Sequence, residues 1–138
     1  MRLLTALTNR LAPTEVQAHC DLPCGVYDPA QARIEAESVK AICEKYAANE
    51  DDAFRTRAIL IKEQRSELVK HHLWVLWTDY FKPPHFEKYP ELHELFNEAT
   101  KLAGGGGGTK ASLDPAKAQE LLDKIAAIDK IFWETKQA

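Results

Sequence analysis

Two Asp-Pro pairs, Asp28-Pro29 and Asp114-Pro115, punctuate this chain of 138 residues. Each is a helix start: a carboxylate able to cap free amides, then a proline whose fixed φ suits the first turn. Behind the first run Ala32, Glu35, Val39, Ile42 and Tyr46; behind the second run Ala118, Leu121, Leu122, Ile125, Ile128 and Phe132. Both series step by three and four, the spacing of one helical face. Between them, the acidic stretch Asn49 to Asp52 suits the positive end of a second helix, with the stripe Phe54, Ala58, Ile61, Arg65, Leu68, His72 and Val75. That helix must end before Pro83-Pro84, which reads as a loop. Pro90 then opens a shorter helix through Leu92, Leu95, Phe96 and Leu102. The glycine run Gly104 to Gly108 closes it, and because Thr109-Lys110 lacks the Gly-Lys-Ser/Thr order of a phosphate loop, the run reads as a flexible connector. Four helices with short links predict an all-α, antiparallel four-helix bundle.

Two stripes carry charged interruptions. If the first two helices turn near Glu50, Glu35 lies fifteen residues before the turn and Arg65 fifteen after it. The two side chains then sit at one level and are expected to pair, since a half-buried charge without a partner is costly. Cys43 reads as a small buried residue, and His71, His72, His85 and His93 as structural or solvent-facing side chains rather than ligands.

Composition excludes several classes. With 45% hydrophobic and 28% charged residues, the chain is neither disordered nor membrane-spanning, and no apolar run approaches the roughly 18 residues of a transmembrane helix. A net charge of −3 without a Lys/Arg cluster argues against nucleic acid as a partner. Three cysteines are a poor disulfide framework and suit a reducing compartment, so a cytoplasmic protein is expected.

The chemistry concentrates in HCDLPCGVYDP, His19 to Pro29. Cys20 and Cys24 are separated by a short loop in which Pro23 fixes one backbone angle, and Gly25 follows, free to take unusual ones. Their thiolates can face one ion, yet two thiols are half a site. If the chain is cut between Ala18 and His19, the new terminus offers an amine, the Cys20 amide nitrogen, two thiolates and the His19 imidazole. Two nitrogens and two sulfurs in a plane favour nickel(II) or copper(II), and such strong donors bring a trivalent metal within reach. The bland alternative is a pair of ordinary thiols in a surface loop.

The hook, with HHLWVLWTDYFKPPHFEKYP and DKIFWETK further on, resembles the nickel-containing superoxide dismutases from His19 to the C-terminus. The resemblance implies one nickel ion per subunit, cycling between Ni(II) and Ni(III), and the conversion of superoxide to dioxygen and hydrogen peroxide. It implies that Cys20 and Cys24 supply in-plane thiolates and that His19 supplies its terminal amine and, in the oxidised state, its imidazole, with the Cys20 amide as the remaining donor. Asp21 helps shape the hook, Glu35 and Arg65 hold the His19 ring, and Tyr27 and Tyr80 border the substrate route. Lys82 is a candidate for attracting the anion. A homohexamer is implied as well.

Residues 1–18 then read as a leader removed by a processing protease, leaving 19–138 as the hook and bundle domain. Leu4, Leu7 and Leu11 recur at helical spacing, but Asn9 and Arg10 interrupt the apolar core that a secretory signal needs, so export is the disfavoured reading. Two other classes compete with the dismutase. A di-iron bundle enzyme requires Glu-x-x-His pairs, which this sequence lacks. A helical interaction module would use Cys20 and Cys24 as a redox-active pair.

Overall fold

The computed structural model describes residues 24–137. Helix α1 spans Ala30–Ala47, α2 Asp52–Val75, α3 Pro83–Lys88, α4 Leu92–Leu102 and α5 Pro115–Lys136, and a single π-helical turn, Leu76–Tyr80, extends α2. No strand occurs among the described residues. The four longer helices run alternately up and down, α1 against α2 and α5, and α4 against α5 and α2. This is the antiparallel four-helix bundle expected.

The caps act as their residue types dictate. Asp51 Oδ1 accepts from the Phe54 amide at 2.7 Å, and Asp114 Oδ1 from the Ala116 amide at 2.9 Å. Asp28 does the same for Ala30 at 2.8 Å, although Pro29 serves as N-cap and α1 begins one residue later than expected.

The core joins Ala32, Ala36, Val69, Leu73, Phe96, Leu121, Ile125, Ile128 and Phe132, all buried. On α1 the buried line is Ala32, Ala36, Val39 and Cys43, so Glu35, Ile42 and Tyr46 flank it. On α2 it is Ala58, Lys62, Ser66, Val69, His72 and Leu73 rather than the stripe through Ile61 and Leu68. The sequence stripe missed Lys62 and Ser66 because both are polar.

Their burial is explained by the glycine run, which is not the flexible connector expected. The Thr109 amide donates to the Leu102 carbonyl at 2.6 Å and the Lys110 amide to the Gly104 carbonyl at 3.1 Å, folding the run back onto the end of α4. The Lys62 ammonium, 1% exposed, donates to the Thr109 carbonyl at 2.7 Å. The Ser66 and Thr109 hydroxyls meet at 2.9 Å, and the Ala111 amide donates to Glu63 at 2.8 Å. Lys62 and Ser66 of α2 thus each find a partner in the loop, which burial demands. The loop is stapled to the bundle.

The segment after α2 also departs from expectation. The Phe81 amide donates to the Leu76 carbonyl at 3.0 Å, closing the wider π turn, a feature frequent at functional sites. Pro83-Pro84 is no loop: both prolines sit in the first turn of α3, where a missing amide costs nothing. Pro90 lies in the turn before α4, two residues ahead of its first residue.

Candidate metal centre

The start of α1, the π turn, the start of α4 and the last turn of α5 share one end of the bundle, and the described part of the hook leads into it. Gly25 has φ +76°, the left-handed region that the hook reading reserved for it. Beyond it the Val26 amide lies 3.5 Å from Cys24 Sγ, positioned to donate to the exposed sulfur. Pro29 is buried, anchoring the hook's downstream end.

Tyr27 and Tyr80 come together, ring centroids 5.5 Å apart and tilted by 57°. Tyr80 is held on several sides: it stacks on His85 at 5.8 Å and 14°, lies 4.4 Å from Phe132, and has the Lys136 ammonium 5.1 Å from its ring centre. Its hydroxyl is 2.6 Å from Thr135 Oγ1. The π turn brings Trp77, Tyr80 and Phe81 to the core within five residues.

Glu35 and Arg65 are paired as expected, Nη1 donating to both carboxylate oxygens at 3.2 and 3.1 Å. Lys82 is exposed at the N-cap of α3, its amide donating to His85 Nδ1 at 3.0 Å. His19, Cys20 and Asp21 lie outside the described residues. Among the described residues no three His, Cys, Asp or Glu side chains gather where they could hold a metal.

Three residues around Tyr80 escaped the sequence reading in this role: His85, Thr135 and Lys136. A usable signal existed, since Phe132, Thr135 and Lys136 recur at three and four in the last turn of α5. His93 accepts from Trp77 Nε1 at 3.0 Å and stacks on Phe86 at 4.0 Å, a packing role. Cys43 is buried, and burial pushes its thiol pKa up, with Lys62 opposing.

The family model of nickel-containing superoxide dismutase matches residues 14–136. The chain belongs to that family. The nickel superoxide dismutase of Streptomyces seoulensis is 69% identical over 133 residues, 96% of this chain and 99% of that protein; the one from Streptomyces coelicolor is 66% identical over the same span. A native nickel superoxide dismutase structure superposes with a TM-score of 0.83 at 69% identity, covering all of that chain and 87% of this one. A structure with nickel ligation corresponding to the oxidised state gives 0.82 at 72% identity. As a nickel-containing superoxide dismutase, the chain is an oxidoreductase, its metal is nickel, and the interaction-module reading has no support. The donor chemistry fits this metal: an exposed thiol next to a left-handed glycine, at the end of a segment that contains a second thiol and an imidazole.

Proposed function

We propose that this nickel superoxide dismutase works at the hook, with His19, Cys20 and Cys24 as nickel ligands. Nickel bound there supplies one-electron redox chemistry between its divalent and trivalent states. Two superoxide anions and two protons become one dioxygen and one hydrogen peroxide, one anion losing the electron that the other gains. The protein's part is to present the ligands, limit access and settle the charges. Cys24 contributes sulfur, Asp21 shapes the loop, and the Glu35–Arg65 pair holds the His19 ring. Tyr27 and Tyr80 narrow the route to the metal, and Lys82 draws in the anion. The observation that carries this reading is the junction of Cys24, Gly25 and the Tyr27–Tyr80 pair at one end of the bundle.

Removal of residues 1–18 is part of the proposal, because only then does His19 carry an amine. In its support, relatives match over 96% of this chain, whereas a solved native chain, aligned in full, covers 87%. The protein works as a homohexamer in the cytoplasm. Self-association is supported by exposed Ile59, Leu60, Trp74 and Trp133, and by a cleft of about 500 Å³ lined by Ile42, Phe54, Ala58 and Ile61. No helix among the described residues is long and apolar enough to cross a membrane.

The test is the intact mass, nickel content and dismutation rate of full-length and trimmed protein. Trimmed chains starting at His19 are expected to bind one nickel each and to be active, and full-length chains to show little activity. Equal activity in verified full-length protein overturns the role of the His19 amine.

A further inference from the structure

The hydroxyl of Thr135 sits between two oxygens. It lies 2.6 Å from the Phe132 carbonyl and 2.6 Å from the Tyr80 hydroxyl. A carbonyl can only accept, and a threonine hydroxyl has one proton to give. That proton goes to Phe132, because two oxygens at this separation with no proton between them repel. The Tyr80 hydroxyl must then donate to Thr135. The phenol's single proton is thus committed inward, toward α5, and only its lone pairs remain for other partners. Turning the O–H away would leave the Tyr80 and Thr135 oxygens 2.6 Å apart with no proton between them, and the ring itself is held in place. His85 stacks on it, Phe132 presses from 4.4 Å, and Tyr27 stands 5.5 Å away.

We propose that Thr135 is a positioning residue that makes Tyr80 a hydrogen-bond acceptor toward the substrate route. This rests on the reading that Tyr27 and Tyr80 border that route. An acceptor at this point holds donors, namely water and the product hydrogen peroxide, and gives no foothold to an anion. Superoxide then passes to the metal without lodging on the phenol, and other small anions are refused the same resting place. Without Thr135 the phenol proton is released to the route and becomes an anion-binding donor.

The test uses trimmed, nickel-loaded protein, azide as the anion probe, and the variants Thr135→Val, Thr135→Ser and Tyr80→Phe. Thr135→Val is expected to bind azide about fivefold more tightly, the worth of one exposed-side hydrogen bond, and Thr135→Ser to retain the parent value. Thr135→Val in the Tyr80→Phe background is expected to change nothing further. A readout independent of activity is the tyrosine Raman doublet of the metal-free protein, assigned by subtraction of Tyr80→Phe. It should report a donor phenol in the parent and Thr135→Ser, and loss of that donor state in Thr135→Val. An unchanged azide constant or an unchanged doublet in Thr135→Val overturns the proposal. So does an equal azide effect in the Tyr80→Phe background. If Tyr80→Phe itself leaves kcat, KM and azide binding untouched, the reading of Tyr80 as a route residue fails, and this proposal fails with it. If Tyr80→Phe alters them and Thr135→Val does not, only the threonine's role is lost. Should Thr135→Val not fold, Thr135→Ala takes its place in both readouts, with the same expected and overturning results.

Discussion

Both oxygens of Glu35 accept from one nitrogen of Arg65, at 3.2 and 3.1 Å, across the interface of α1 and α2. The carboxylate side chain is 16% exposed and the guanidinium 39%, so water screens the pair only in part. Arg65→Ala leaves a half-buried carboxylate without its partner. The expected cost is about 1–2 kcal/mol, between the values for exposed and buried pairs. A double-mutant cycle with Glu35→Ala, read by urea denaturation, should give a coupling of about 1 kcal/mol. If the pair also holds the His19 ring, trimmed and nickel-loaded Arg65→Ala must lose dismutation rate beyond its loss of folded protein. A coupling of zero removes the stabilising role, and an unchanged dismutation rate per folded Arg65→Ala chain removes the His19 role.

Cys24 and Cys43 should respond in opposite ways to the same change. Cys24 is exposed at the hook, so Cys24→Ser is expected to leave bundle stability within about 0.5 kcal/mol of the parent. Nickel content and activity should be lost together. Cys43 is 1% exposed and lies against Val39 and Ala118. Cys43→Ser buries a hydroxyl there, at a cost of about 1–3 kcal/mol, while its folded fraction keeps nickel. Metal analysis beside thermal unfolding checks both, and nickel retained by Cys24→Ser would take that thiol out of the ligand set.

What could be read from the sequence divides by the range of the interaction. Helix starts are local: Asp114 caps where it was expected to, and α2 starts within the expected stretch Asn49 to Asp52, because caps involve residues only two or three apart. The Glu35–Arg65 pair was legible because antiparallel helices make sequence distance from a turn into height along the bundle. Lys62 and Ser66 were not legible as core, since their partner Thr109 stands more than forty residues away in a glycine run. The Tyr27–Tyr80 approach came from the family resemblance; its surround by His85, Thr135 and Lys136 depends on a π turn, and nothing in the periodicity announces that extra residue.

The glycines of the stapled loop are not equivalent. A Cβ on Gly108 would lie 2.3 Å from the Leu102 carbonyl oxygen, 2.5 Å from that of Lys101 and 2.7 Å from that of Gly104. None can yield without breaking the turn, so Gly108→Ala is expected to cost about 2 kcal/mol or more. Gly105 has open space around its Cβ position. Gly105→Ala should be neutral or stabilise by about 0.4–1 kcal/mol, through the unfolded chain. Chemical denaturation of the two variants side by side checks the contrast. Equal effects at both positions would mean that the loop is the loose connector its composition suggests.

The same staple sets a pH dependence. Burial alone would raise the Glu63 carboxyl, but hydrogen bonds from the Lys62 ammonium and the Ala111 amide hold it below its ordinary 4.5. The folded state therefore binds fewer protons than the unfolded state just below that pH. Its contribution to stability is present above 4.5 and drains away as the pH falls through the depressed value. With the Glu63 side chain 37% exposed, the contribution is about 0.5–1 kcal/mol after allowance for solvent. Glu63→Gln should thus melt below the parent at neutral pH, and the two melting curves should converge as the pH is taken from about 5 to 3. Glu67, whose carboxyl is held down by its hydrogen bond to Lys110, is more exposed at 52%. Glu67→Gln should show the same convergence with a smaller gap. A gap for Glu63→Gln that stays constant across this range would assign the loss to packing rather than to charge.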